Sequence, residues 1–121
     1  NVLGPMRVLP QIEATLAAGA KLMVLSSMMG SIGQRSSTTG WLYRASKAAV
    51  NSVLRDAALT LGPRRITCVA VHPGWVQTDM GGPHASLSPE RSVADLRRLL
   101  AGLTPDDNGH FLNHDGSPIA W

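Results

Sequence analysis

Residues 42–74, LYRASKAAVNSVLRDAALTLGPRRITCVAVHPG, change their hydrophobic period once, and that change decides the fold. Val50, Val53, Leu54, Ala57, Ala58 and Leu61 recur at three- and four-residue intervals, the stripe of a helix with one buried face. Gly62-Pro63 stops it. Ile66 to Val71 is then an apolar, largely β-branched run too short for a helix, ending at His72-Pro73-Gly74. Working backward, residues 22–26, Leu-Met-Val-Leu-Ser, form a matching run that opens into Ser- and Gly-rich sequence up to Gly40. Two such runs with a helix between them describe a parallel βαβ unit buried on both faces.

The flanks extend the pattern. Val2, Met6, Leu9, Ile12 and Leu16 lie on one helical face, with Gly19 as the stop, while Pro5 and Pro10 argue against a straight interior. Ser88 as N-cap and Pro89 at the first helical position open another helix, with the apolar stripe Val93, Leu96, Leu100 and Leu103. A last short strand is expected around His110-Phe111-Leu112. The order helix, strand, helix, strand, helix, strand predicts an α/β fold with three parallel strands and helices on both faces. In such sheets chemistry collects at the carboxyl ends of strands, here Ser26-Ser27, His72-Pro73-Gly74 and Asn113-His114-Asp115.

Composition bounds the function classes. The 121 residues are one domain's worth, 44% apolar and 16% charged, so a folded core is expected rather than disorder, and no apolar run approaches the ~18 residues of a membrane span. The net charge is +3, and the basic residues cluster only as the pairs Arg64-Arg65 and Arg97-Arg98, which excludes a nucleic-acid stripe. The single Cys68 has no internal partner, and with no signal peptide at the start the expected compartment is the cytoplasm. The chain starts with Asn rather than Met, so a processed chain or a fragment is expected.

The one Tyr of the chain, Tyr43, stands four residues before one of its two Lys, Lys47, a spacing that puts both on one helix face. An ammonium beside a phenol favours the phenolate, and a phenol so tuned exchanges protons near neutrality. The competing reading is a surface Tyr packed over a Lys stem.

Asn1-Val2-Leu3-Gly4, Ser26-Ser27-Met28-Met29-Gly30, Tyr43 with Lys47 in Tyr-Arg-Ala-Ser-Lys-Ala-Ala, and Pro73-Gly74 with Thr78 follow one another along the chain. In this order they resemble the short-chain dehydrogenase/reductase family. Gly40-Trp41 in the long Ser-to-Tyr loop, and the ending from Gly109 to Trp121, look most like its C-factor-like carbonyl reductase branch. The resemblance implies the carboxyl-terminal part of a doubly wound Rossmann-type fold and an NAD(P)-dependent oxidoreductase acting on a small-molecule carbonyl or alcohol, with NAD or NADP as cofactor. It implies Tyr43 as the general acid/base and Lys47 as the residue that tunes it and bonds the nicotinamide ribose. Ser27 would hold the substrate oxygen, with Ser31 a second candidate for that role, and Asn1 would complete a proton relay through its backbone carbonyl. Pro73, Gly74, Val76 and Thr78 would pass beside the nicotinamide and phosphates.

The chain departs from the family at the cofactor's far end. Its twelve Gly include neither Gly-x-Gly-x-x-Gly nor Gly-x-x-x-Gly-x-Gly, so residues 1–121 are expected to form a single incomplete Rossmann-type domain, inactive alone, with the Gly-rich cofactor half absent. The alternative function is a truncated, non-catalytic interaction or signalling module. An open apolar edge beside Leu22–Ser26 predicts a homo-oligomer. No metal site is expected, because on a strand His110 and His114 would lie about 13 Å apart. No Ser sits in a Gly-x-Ser-x-Gly turn, which argues against a hydrolase triad. His72 is expected to serve as a strand-end hydrogen-bonding residue and Cys68 as packing.

Overall fold

The computed structural model describes residues 1–121. Helix α1 (Leu3–Ile12) leads through a 3-10 turn at Glu13–Thr15 to strand β1 (Lys21–Leu25), and a second turn at Met28–Gly30 precedes helix α2 (Trp41–Leu61). Strand β2 (Thr67–His72), helix α3 (Pro89–Gly102) and strand β3 (Phe111–Asn113) complete the order. The sheet runs β1-β2-β3, all parallel, with Leu25 opposite Val71 and His72 opposite Asn113 at the carboxyl ends. The α/β architecture with helices on both faces is as expected.

The central strand β2 separates two halves of the core. Its even-numbered residues Cys68 and Ala70 pack with Leu54, Ala58 and Leu61 of α2, and its odd-numbered Val69 and Val71 pack with Leu96, Leu99 and Leu100 of α3. Period two on the strand therefore distributes one apolar run to two helices. Leu54 is fully buried, and its truncation to Ala would cost about 2–5 kcal/mol. Burial pushes the Cys68 thiol up to about 11, which fits a packing role.

Two stripes differ from expectation. Val93 is 52% exposed, and the row that α3 turns inward includes Ser92 and Asp95 beside Leu96, Leu99 and Leu103. On that inward side Ser92 donates to the Pro73 carbonyl and Asp95 accepts from His114, pairings that an apolar count does not register. Helix α1 ends at Ile12, well before Gly19, and Met6 is half exposed, with none of the helix's residues buried. Strand β3 begins one residue later than His110, which stays exposed. No helix is long and apolar enough to cross a membrane.

Candidate active site

The carboxyl end of β1 divides the two serines. Ser26 continues the pairing by donating its N–H to the Val71 carbonyl, and its Oγ donates to Asn51 Oδ1 of α2 at 2.5 Å, so its hydroxyl proton is committed to α2 although the residue touches the same cleft as Ser27. Ser27, one residue on and therefore on the opposite side, is extended and caps the 3-10 turn by accepting from the Met29 N–H at 3.2 Å. A hydroxyl that accepts a backbone bond keeps its own proton to donate. Ser27 lines a cleft of about 980 Å³ that Tyr43, His72, Gly74 and Val76 also line.

Tyr43 stands in the first turn of α2, half-buried, with its ring toward this cleft. Lys47 follows one turn later, its Nζ 5.8 Å from the centre of the Tyr43 ring and donating to the Leu25 carbonyl at 3.0 Å. That bond ties α2 to the end of β1. Desolvation by burial lowers the Lys47 pKa from its ordinary value. Asn1 reaches the same helix, its Nδ2 donating to Ser46 Oγ at 3.0 Å, and Ser46 in turn donates to the Tyr43 carbonyl. Ser31 is placed otherwise: fully buried, its Oγ donates to the Ala120 carbonyl at 2.6 Å and accepts from the Gln34 N–H.

Beyond β2 the chain turns at Gly74, whose φ of +86° lies in the left-handed region that favours glycine. The following segment is braced on itself. Leu87 N–H donates to the Trp75 carbonyl and Gln77 N–H to the Leu87 carbonyl, so the N–H and C=O of Val76 between them face away from Leu87. The Val76 N–H finds no acceptor within the chain. Thr78 Oγ1 accepts from the Gly81 N–H and lies 3.4 Å from the Val76 carbonyl, closing a local turn. Pro73 presents its carbonyl to Ser92 Oγ at 2.7 Å.

Pattern reading missed one cluster. His114 does not meet His110; its Nδ1 lies 3.0 Å from Asp95 Oδ2, and Arg91 and Arg98 bond the same carboxylate. Ser92 and Asp95 carry no sequence signal, since polar residues between leucines read as a solvated face. Nor was His72 anticipated as it stands: its Nδ1 is buried and has no hydrogen-bond partner.

A parallel sheet under helices on both faces, with hydroxyl, phenol and amine gathered where its strands end, defines a Rossmann-type α/β protein with its cleft in the usual place. The comparisons identify which family this is. The short-chain dehydrogenase model described as enoyl-(acyl carrier protein) reductase matches residues 1–107. The chain is 40% identical to the C-signal protein of Myxococcus xanthus over its whole length, covering 74% of that protein. It superposes on the carbonyl reductase Sniffer of D. melanogaster with a TM-score of 0.86 and 35% identity, covering 99% of this chain and 54% of that one. A short-chain dehydrogenase/reductase from Burkholderia multivorans with bound NADP gives a TM-score of 0.88 and 33% identity, covering 100% and 52%. The chain belongs to the short-chain dehydrogenase/reductase family of oxidoreductases. It spans about half the length of these two solved relatives.

Proposed function

We propose that these residues form the catalytic part of an NAD(P)-dependent carbonyl reductase or alcohol dehydrogenase acting on small molecules. The observation that carries this reading is the shared cleft: Ser27 and Tyr43 open into it from two different elements, with Lys47 one helical turn behind the phenol. In the reducing direction Tyr43 Oη gives its proton to the substrate's carbonyl oxygen, and in the oxidising direction it takes one from the alcohol. The Lys47 ammonium stabilises the phenolate that proton loss leaves. Ser27 donates its free hydroxyl proton to the same substrate oxygen and holds it toward Tyr43. Asn1, bonded to α2 through Ser46, would join a relay between Lys47 and solvent through its backbone carbonyl.

The nicotinamide end of NAD or NADP fits the residues present. The unpaired Val76 N–H at the cleft wall suits an acceptor such as a carboxamide oxygen, Lys47 suits ribose hydroxyls, and Pro73, Gly74 and Thr78 complete the wall. When bound, the cofactor supplies or removes the hydride at the carbonyl carbon. No Gly-rich pyrophosphate turn lies among residues 1–121, so the adenosine end needs residues beyond these.

The test uses reduced nicotinamide mononucleotide, which carries only the fitting end. Titrated into the 121-residue chain, it should shift the amide resonances of Val76 and Thr78, whereas adenosine monophosphate should leave them in place. Equal response to both, or to neither, would remove the reading. The similarity to C-signal favours one second reading, a non-catalytic signalling or interaction module, for which neither nucleotide should bind.

A further inference from the structure

Helix α3 turns polar residues inward at the end nearest the cleft. Asp95 is 2% exposed, and its two oxygens accept from Arg91 Nε at 3.1 and 3.0 Å, from Arg98, and from His114 Nδ1 at 3.0 Å. Both arginine side chains lie largely in solvent, whereas the His114 side chain is 19% exposed. His114 is therefore the inward partner, joining the end of β3 to α3. Because a carboxylate only accepts, the Nδ1 of His114 carries the proton between them.

The far edge of the same ring lies against the turn that leaves β2. A Cβ added at Gly74 would overlap the Leu87 side chain on one side and come within 3.0 Å of His114 Cδ2 and 3.4 Å of its Nε2 on another. One turn earlier on α3, Ser92 Oγ donates to the carbonyl of Pro73. The Pro73-Gly74 turn is thus bonded by α3 directly and walled by it indirectly, and Val76 follows two residues later. Buried ion pairs are weak devices for stability, since well-packed apolar residues commonly replace them without loss. Leucine at 95 would simply extend the stripe of Leu96, Leu99 and Leu103, so what the carboxylate supplies is direction.

We propose that Asp95 and His114 are positioning residues: through their bond, α3 fixes the Pro73-Gly74 turn so that the Val76 N–H stays turned toward the nicotinamide end of the cofactor. The inference rests on the functional reading above and deepens it.

Side-chain isosteres separate this role from mere packing. Asparagine at 114 places an amide N–H where Nδ1 of histidine stands, and glutamine places it where Nε2 stands. In the 121-residue chain His114→Asn should keep the wild-type amide shift of Val76 and the affinity for reduced nicotinamide mononucleotide, while Gly74, which lies against the ring, shifts in either variant because the ring itself is lost. His114→Gln should move the Val76 resonance as well and weaken that affinity by about tenfold, the factor expected for one ordinary hydrogen bond lost. Asp95→Leu, which extends the apolar stripe of α3 and breaks the same bond, should repeat the effect, which keeps the test open where His114→Gln fails to fold. An unmoved Val76 resonance in a folded variant that breaks the bond would overturn the positioning role. A moved Val76 resonance with unchanged affinity would instead overturn the assignment of this turn to the nicotinamide, and the proposal with it.

Discussion

Gly30 lies directly on the backbone of Lys47: a Cβ added to Gly30 would sit 2.9 Å from both the carbonyl carbon and the Cβ of Lys47. The turn that Ser27 caps and the helix that carries Tyr43 therefore meet with no side chain between them.

Gly30→Ala should separate these two elements. The overlap is with backbone, which cannot step aside as a flexible side chain would, so the substitution should destabilise the fold by about 1–3 kcal/mol. Denaturant midpoints of wild type and variant measure this. An unchanged midpoint would mean that the contact is looser than described.

Tyr43→Phe keeps the ring and removes the proton. In enzyme that includes a complete nucleotide-binding half, cofactor affinity should survive while the chemical step falls by about 10²-fold or more. Lys47→Met should lower both affinity and rate, because it deletes the positive charge beside the phenol and the proposed partner of the ribose. Single-turnover rates and cofactor titrations keep the two effects apart. Near-normal turnover by Tyr43→Phe would show that the proton comes from elsewhere.

His72 should make stability depend on pH. Burial, and secondarily the charge of His114, lower its pKa from the usual value. Between that lowered value and about 6.5 the unfolded chain binds more protons on this ring than the folded one does. Stability should therefore be complete above about pH 6.5 and decline as pH falls through it. Melting temperatures between pH 5 and 8 should show the decline in wild type and a flatter curve for His72→Gln, whose amide does not titrate.

Strand β1 pairs only with β2, and its outer side offers a row of backbone groups. Concentration-dependent self-association of the 121-residue chain is the expected outcome in sedimentation velocity. A single monomeric species across the concentration range would count against it.

The legible part of this molecule was its apolar skeleton. The period change after Gly62, the cap formed by Ser88 with Pro89, and the strand ends at Ser26 and His72 follow from side-chain size and spacing, and the structure has them within a residue or two. The family resemblance supplied Ser27, Tyr43 and Lys47 as candidates, and all three gather at the strand ends, with Lys47 behind the cleft wall. What stayed hidden depended on partners distant in sequence. Asp95 reads as solvent-facing until His114 arrives across the sheet, and Val93 reads as core until Ser92 finds the Pro73 carbonyl. The separate commitments of Ser26 to Asn51 and Ser31 to Ala120 likewise belong to tertiary structure, so no spacing rule could sort the three serines.

The bond from Ser31 to Ala120, with its neighbour from the Gly33 N–H to the Trp121 carbonyl, imposes an order on biosynthesis. The loop that separates Ser27 from Tyr43 is fastened by residues that leave the ribosome some 89 positions after it. The β1-α2-β2 unit lies wholly upstream of those residues, with β1 paired to β2 and α2 packed on both. The cleft margin has to wait. A nascent chain halted before residue 120 would thus lack the bonds that fasten this entrance, and pulse proteolysis of such stalled chains should cut between residues 31 and 40 first.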